Sequence, residues 1–128
     1  MREITLPPEL EVGEGYGMVR WDVRAIWENY AGWFHHRSTS ELYPVAPSHV
    51  WTDLLELAGP DAIVGRARKA LGEGDAVRAI SLAEIVHDTE PHHEGARHVL
   101  VAAHEQLLAA STNFWETAWL RKQIADLS

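Results

Sequence analysis

The stretch Gly72-Glu73-Gly74-Asp75-Ala76-Val77-Arg78-Ala79-Ile80-Ser81-Leu82-Ala83-Glu84-Ile85-Val86-His87 decides the fold class. Glycine closes one helical pattern, Asp75 offers an N-cap oxygen to the next, and Ala76, Ala79, Ile80 and Ala83 then recur at intervals of three and four. That spacing gathers small apolar side chains on one helix face, where a second helix can approach closely. The same texture extends in both directions. Asp61 to Leu71, Asp75 to His87, Pro91 to Ala110 and Asn113 to Leu127 read as four helical segments, with Pro91 suited to a first helical turn. Ala96, Leu100, Ala103 and Leu107 form the facing stripe, and Asn113 with Glu116 three residues on is a capping-box-like start. The fold class expected is all-α, a bundle of about five to six helices.

Upstream, Asp22 is the expected N-cap of a helix carrying Val23, Ile26, Trp27, Tyr30 and Phe34 on one side and ending about Trp33 or Phe34. Pro44 and Pro47 impose an extended connection, Ser48 is placed to cap a short helix through Leu57, and Gly59-Pro60 stops it. Pro7-Pro8 and Gly13, Gly15 and Gly17 favour an extended N-terminal arm. The expected organisation is one domain over 1–128, with an arm or linker over 1–20, a helix-loop-helix over 21–60 and helical hairpins over 61–128. The Gly-Glu-Gly-Tyr-Gly run is no phosphate loop, because no strand precedes it, no Lys-Ser/Thr follows and Glu14 would repel the ligand.

Bulk properties narrow the function. The chain has 128 residues, 46% of them hydrophobic and 23% charged, an ordinary globular balance. A formal net charge of -8 argues against nucleic acid, whose phosphates select Lys/Arg patches. With no cysteine, disulfides and thiolate metal sites are excluded. No apolar run nears the roughly 18–20 residues needed to cross a bilayer, so the chain reads as soluble, and as cytoplasmic if complete. Six tryptophans admit two readings, a well-filled core or an interface in which indoles anchor a partner.

Chemistry-bearing side chains concentrate in Tyr30 to Pro44. His35, His36, Arg37 and Tyr43, with Ser38 and Thr39, combine imidazoles, a guanidinium fork and hydroxyls suited to a sulfate, phosphate or carboxylate. A polar connection anchored by aromatic flanks is the plainer reading. Elsewhere, His93-Glu94-Gly95-Ala96-Arg97-His98 misses the helical metal pair by one residue, since both imidazoles point at one metal only at i and i+4. His87 suits a helix C-terminus, and His92 and His93 read as surface residues. No nucleophile, base and orienting group can be assembled by spacing, so no catalytic residue and no metal ligand are assigned.

Two resemblances follow. The Ala-rich hairpin with its Gly-Asp turn resembles one tetratricopeptide-like helix pair plus a neighbour, although a stable array takes about three repeats of roughly 34 residues. A free-standing helical adaptor binding a peptide or protein is the function this alternative implies. More specifically, Leu6-Pro7-Pro8-Glu9-Leu10, then Arg24, Ala25, Ile26, Trp27, Tyr30, Gly32, Trp33 and Phe34, then Leu42, Pro44 and Pro47, resemble the alkyl sulfatase dimerisation domain. Asn113-Phe114-Trp115-Glu116 fits it too, so the likeness covers nearly the whole chain. Where that family has Asp-Gly-Asn-Pro, this chain has His35-His36-Arg37-Ser38.

The resemblance implies a homodimerisation module of a zinc-dependent, metallo-β-lactamase-fold alkyl sulfatase-type hydrolase. The parent protein would hydrolyse sulfuric esters, and the isolated chain would not be an enzyme. Its partners would be a second copy of itself and the catalytic domain. Trp21, Trp27 and Trp33 are the expected dimer-interface residues, and His35, His36, Arg37 and Tyr43 the expected lining of the substrate cleft. No cofactor is expected in this chain, zinc being expected in the catalytic domain.

Overall fold

A computed structural model describes residues 15–128; the Pro7-Pro8 part of the expected arm lies outside the described residues. Six α-helices follow one another with no strand among the described residues: α1 (Val19–Ala31), α2 (Trp51–Ala58), α3 (Pro60–Gly72), α4 (Ala76–Thr89), α5 (Glu94–Ala110) and α6 (Phe114–Leu127). Two short 3₁₀ turns, Thr39–Leu42 and Pro47–Val50, interrupt the connection between α1 and α2.

The core is made of small residues on three successive helices. Ala67, Ala79, Ala83, Ala96 and Ala103 are wholly buried, and Val64, Val86, Val99 and Leu100 fill the space between them. Ile80 and Leu107, expected on the buried stripes, pack at its margin. Each hairpin partner lies against the next: α3 on α4, α4 on α5, α5 on α6, with α3 also reaching α5. Side chains this small let helix axes approach to the short end of the usual range of about 8–10 Å. Gly95 marks the closest approach, since a Cβ there would come within 3.0 Å of the Arg68 guanidinium and 3.3 Å of Val64. The hairpins are thus present as helix pairs, and nothing in them establishes a tetratricopeptide repeat.

The α3–α4 turn shows how local chemistry fixes the bundle. Asp75 N–H donates to Ala70 C=O at 2.9 Å and Gly74 N–H to Leu71 C=O at 3.0 Å, the paired bonds of a Schellman motif with Gly74 in the left-handed region at φ 85°. Asp75 then caps α4, its carboxylate accepting from Arg78 N–H at 3.0 Å. At α6, Asn113 Oδ1 accepts from Trp115 and Glu116 N–H, while the Glu116 carboxylate accepts from Ser111 Oγ.

Several boundaries differ from expectation. The first helix starts at Val19, with Asp22 inside its first turn and Met18 at the N-cap. It ends at Ala31 because Gly32, at φ 77°, turns the backbone away before Trp33. Ser48 caps nothing; it sits in the second 3₁₀ turn, and α2 begins at Trp51 without a side-chain cap. Pro60 starts α3 as its first residue, where its missing N–H costs nothing. Pro91 lies in the turn before α5, whose cap is His93: Nδ1 accepts from Ala96 N–H at 3.2 Å.

Two glycine substitutions at this turn should have opposite signs. Gly72 is helical with open space around its Cα, so Gly72→Ala should stabilise by about 0.5–1 kcal/mol. Gly74→Ala forces a side chain into the left-handed region and should destabilise by about 1–2 kcal/mol. Urea unfolding midpoints of the two variants check this.

Candidate functional site

Helix α1 behaves unlike the rest. It carries the apolar stripe read from the sequence, yet none of its residues is buried, and among the described residues it makes no substantial packing contact with another helix. Trp27 is 59% exposed and Tyr30 86%. Its attachment is to the start of α6: Phe114 N–H donates to Gly15 C=O at 2.7 Å, Tyr16 stacks on Phe114 with ring centroids 5.4 Å apart, and Arg20 lies 3.7 Å from the Glu116 carboxylate. Of the six tryptophans, Trp21, Trp27, Trp33, Trp115 and Trp119 are exposed, which removes the core-filling reading for these five.

Beyond Gly32 the chain folds back along α1. A groove of about 420 Å³ opens between them, lined by Arg20, Trp21, Arg24, Trp27, Glu28, His35 and Arg37. The five helical residues fall on one side of α1, as their spacing dictates. Two of the expected cleft residues, His35 and Arg37, and two of the expected interface residues, Trp21 and Trp27, therefore share one surface. His36, Tyr43 and Trp33 do not line it. His36 sits at φ 57° with its ring centroid 4.3 Å from that of Phe34, the Trp33 ring is 5.8 Å from Phe34, and Tyr43 is exposed at the end of the first 3₁₀ turn.

The loop is held by its own polar groups. Glu41, which the sequence reading passed over, accepts His35 N–H at 2.6 Å on one carboxylate oxygen and Arg37 N–H at 3.2 Å on the other. Ser38 Oγ accepts from Ser40 N–H and shares a hydrogen bond with the Ser40 hydroxyl at 2.7 Å. Signal for Glu41 existed only in its spacing of four and six residues from those amides, which becomes meaningful once the turn is known.

Electrostatics on α1 centre on one pair. Arg24 Nε donates to Glu28 at 2.8 Å, and this bond chiefly holds the Glu28 carboxyl below the usual carboxylate range. The Arg24 charge adds to the effect, and so does the nearby His35 imidazole. The groove thus presents guanidinium groups and indoles together, a lining suited to an anionic group carrying apolar surface.

Three other histidines lie within the helical bundle. His93 is an N-cap, and its Nε2 lies 3.5 Å from Asp61 on α3, so the expectation that it is a solvated surface residue is corrected. His87 lies in the last turn of α4, and its Nδ1 is buried without a hydrogen-bond partner among the described residues. His104 is buried on α5, with Nδ1 bonded to Leu100 C=O at 2.6 Å. Among the described residues, no three His, Asp or Glu side chains come together so as to hold a metal ion.

Residues 1–127 match the family described as alkyl sulfatase dimerisation. An alkyl/aryl-sulfatase of Saccharomyces cerevisiae is 28% identical over 107 residues, covering 82% of this chain and 16% of the yeast protein. The chain therefore spans less than a fifth of that relative's length. No solved structure matches.

The pair on α1 gives a pH prediction. Because the folded pKa of Glu28 is depressed, its contribution to stability is present above the unfolded value of about 4.3 and is lost as pH falls through the folded value. In Arg24→Ala the Glu28 titration midpoint should rise toward the ordinary range. Carboxyl-carbon NMR titration of both proteins measures it, and an unmoved midpoint would disconnect the pair.

Proposed function

The chain belongs to the alkyl sulfatase dimerisation family, and from that membership we propose that it is the homodimerisation module of a larger hydrolase, joined to a second copy through the aromatic side of α1 and the loop after it. The observation carrying this reading is the exposure of Ile26, Trp27 and Tyr30 on the α1 stripe, with Trp21 and Trp33 exposed near it. A helix with no residue in the buried core has most to gain from a partner, because about 25 cal/mol is recovered per Å² of apolar surface removed from water. Indoles at the centre of such a patch are the usual anchors. A symmetric two-fold contact would set α1 of one copy against the same region of the other.

The second part of the proposal concerns the loop. His35, His36, Arg37 and Tyr43 help to cover the cleft of a neighbouring metallo-β-lactamase-fold catalytic domain, where His35 and Arg37 contribute through the groove and His36 and Tyr43 through the exposed rim. In this account zinc, with the activated water it supplies, belongs to the catalytic domain. The chain's own contribution is to orient an anionic substrate and exclude water. Among the described residues, no helix is long and apolar enough to cross a membrane.

Two experiments follow. By sedimentation velocity the 128-residue chain should run as a dimer, and Trp27→Asp should weaken the dimer at least about tenfold by placing a charge in the contact. A monomer at all concentrations, with a peptide bound along the hairpins, would instead favour a helical adaptor. In the full-length enzyme, Arg37→Ala should raise KM or lower kcat by about tenfold, the scale of one lost charge-assisted hydrogen bond. Unchanged kcat and KM in both Arg37→Ala and His36→Ala would leave the loop a structural role alone.

A further inference from the structure

The turn His35-His36-Arg37 has a property that neither dimerisation nor cleft covering requires. With His36 in the left-handed region at φ 57°, the amides on either side of it converge on a single carboxylate, one on each oxygen. A left-handed residue between two donating N–H groups is the geometry by which backbone concavities bind anions. Here the anion is internal, the side chain of Glu41. A non-glycine residue at positive φ is uncommon and has to be held there, and the two bonds to Glu41 hold it.

Charge around the turn is arranged for more than one carboxylate. Arg37 carries its guanidinium from the same turn, and it forms no ion pair or side-chain hydrogen bond among the described residues. Arg37 and His35 open into the groove, which Arg20 and Arg24 also line. Arg20 and Arg24 already face Glu116 and Glu28, so Arg37 is the cation of this group left to meet an incoming anion.

We propose that the His35–Arg37 turn is an oxyanion-binding site which the chain keeps closed with Glu41. An incoming sulfate, phosphate or carboxylate takes the two backbone amides by displacing the Glu41 side chain, and the Arg37 guanidinium provides the countercharge. Displacement makes the site selective: a weakly bound anion cannot compete with a tethered carboxylate, whereas an oxyanion that also reaches Arg37 can. Glu41, released, would leave the loop free to change shape on binding. This goes beyond the cleft reading, since it is a property of the chain alone and holds whether or not the loop faces a catalytic domain.

The test is an amide NMR titration of the isotope-labelled 128-residue chain with sodium sulfate, against sodium chloride at matched ionic strength. Glu41→Ala should bind sulfate at least about tenfold more tightly than the natural chain, with saturable shifts at the His35 and Arg37 amides. Arg37→Ala in the Glu41→Ala background should reverse that gain by a similar factor. Glu41→Gln keeps the shape and one acceptor oxygen without the charge, and should give an intermediate gain even if the alanine variant loosens the turn. Inorganic phosphate, acetate and methyl sulfate as further titrants separate the sources: response to methyl sulfate assigns an ester headgroup, and response to inorganic ions alone assigns a free anion. Sulfate shifts that match chloride in both Glu41 variants, or affinity equal to that of the natural chain, would overturn the proposal.

Discussion

The structure depends on the close approach of α3, α4 and α5 over a core of alanine. Ala67, Ala79, Ala83, Ala96 and Ala103 leave no exposed surface, and the valines and leucine between them complete the packing. A core with side chains this small tolerates no enlargement, because helices already near contact distance would have to move apart. It also has no room for an indole. Most of the chain's large aromatic residues are consequently displaced to α1, the loop after it and the first half of α6, where they are exposed. One constraint, the small-residue core, therefore produces both the rigid bundle and the apolar outer surface.

That division of labour explains why the candidate site sits where it does. The bundle fixes α6 by its packing on α5, with Leu120 buried, and α6 in turn holds the root of α1 through Gly15, Tyr16 and Arg20. From this root α1 projects with its apolar side unpaired, and the loop beyond Gly32 folds back to form the groove with it. Binding elements carried on a rigid scaffold, with few contacts of their own, are suited to completing themselves against a partner. The acid-rich composition adds a condition. Two copies at -8 each repel, and the α1 region, with Arg20, Arg24 and Arg37, is a place where cations gather and that repulsion is eased.

Much of this was legible in the residues. The four downstream helices followed from periodicity and turn chemistry, with Asp75 and Asn113 at the caps expected of them, because local capping and a strict small-residue stripe leave few alternatives. Boundaries failed where tertiary context chose among equally good local signals. His93 outcompeted Pro91 as the start of α5 because its imidazole also reaches Asp61 on α3, a contact invisible in one dimension. The stripe on α1 was read correctly as a stripe, but a stripe does not say whether its own chain or another covers it. In the loop, His35 and Arg37 share a groove with Trp21 and Trp27, whereas His36, in the left-handed region, packs by Phe34 and Tyr43 lies beyond the first 3₁₀ turn, outside the groove. Glu41 escaped notice because a carboxylate's role toward backbone amides depends on that same turn.

The central claim is that α1 and its loop are completed by a second copy of the chain. Hydrogen–deuterium exchange at increasing protein concentration tests it most directly, since no residue of α1 is buried in the single chain. The account predicts that amides over residues 19–37 become protected as concentration rises, while those of α3 to α5 exchange at unchanged rates. Exchange over α1 that is independent of concentration, or protection that falls on α5 instead, would contradict it.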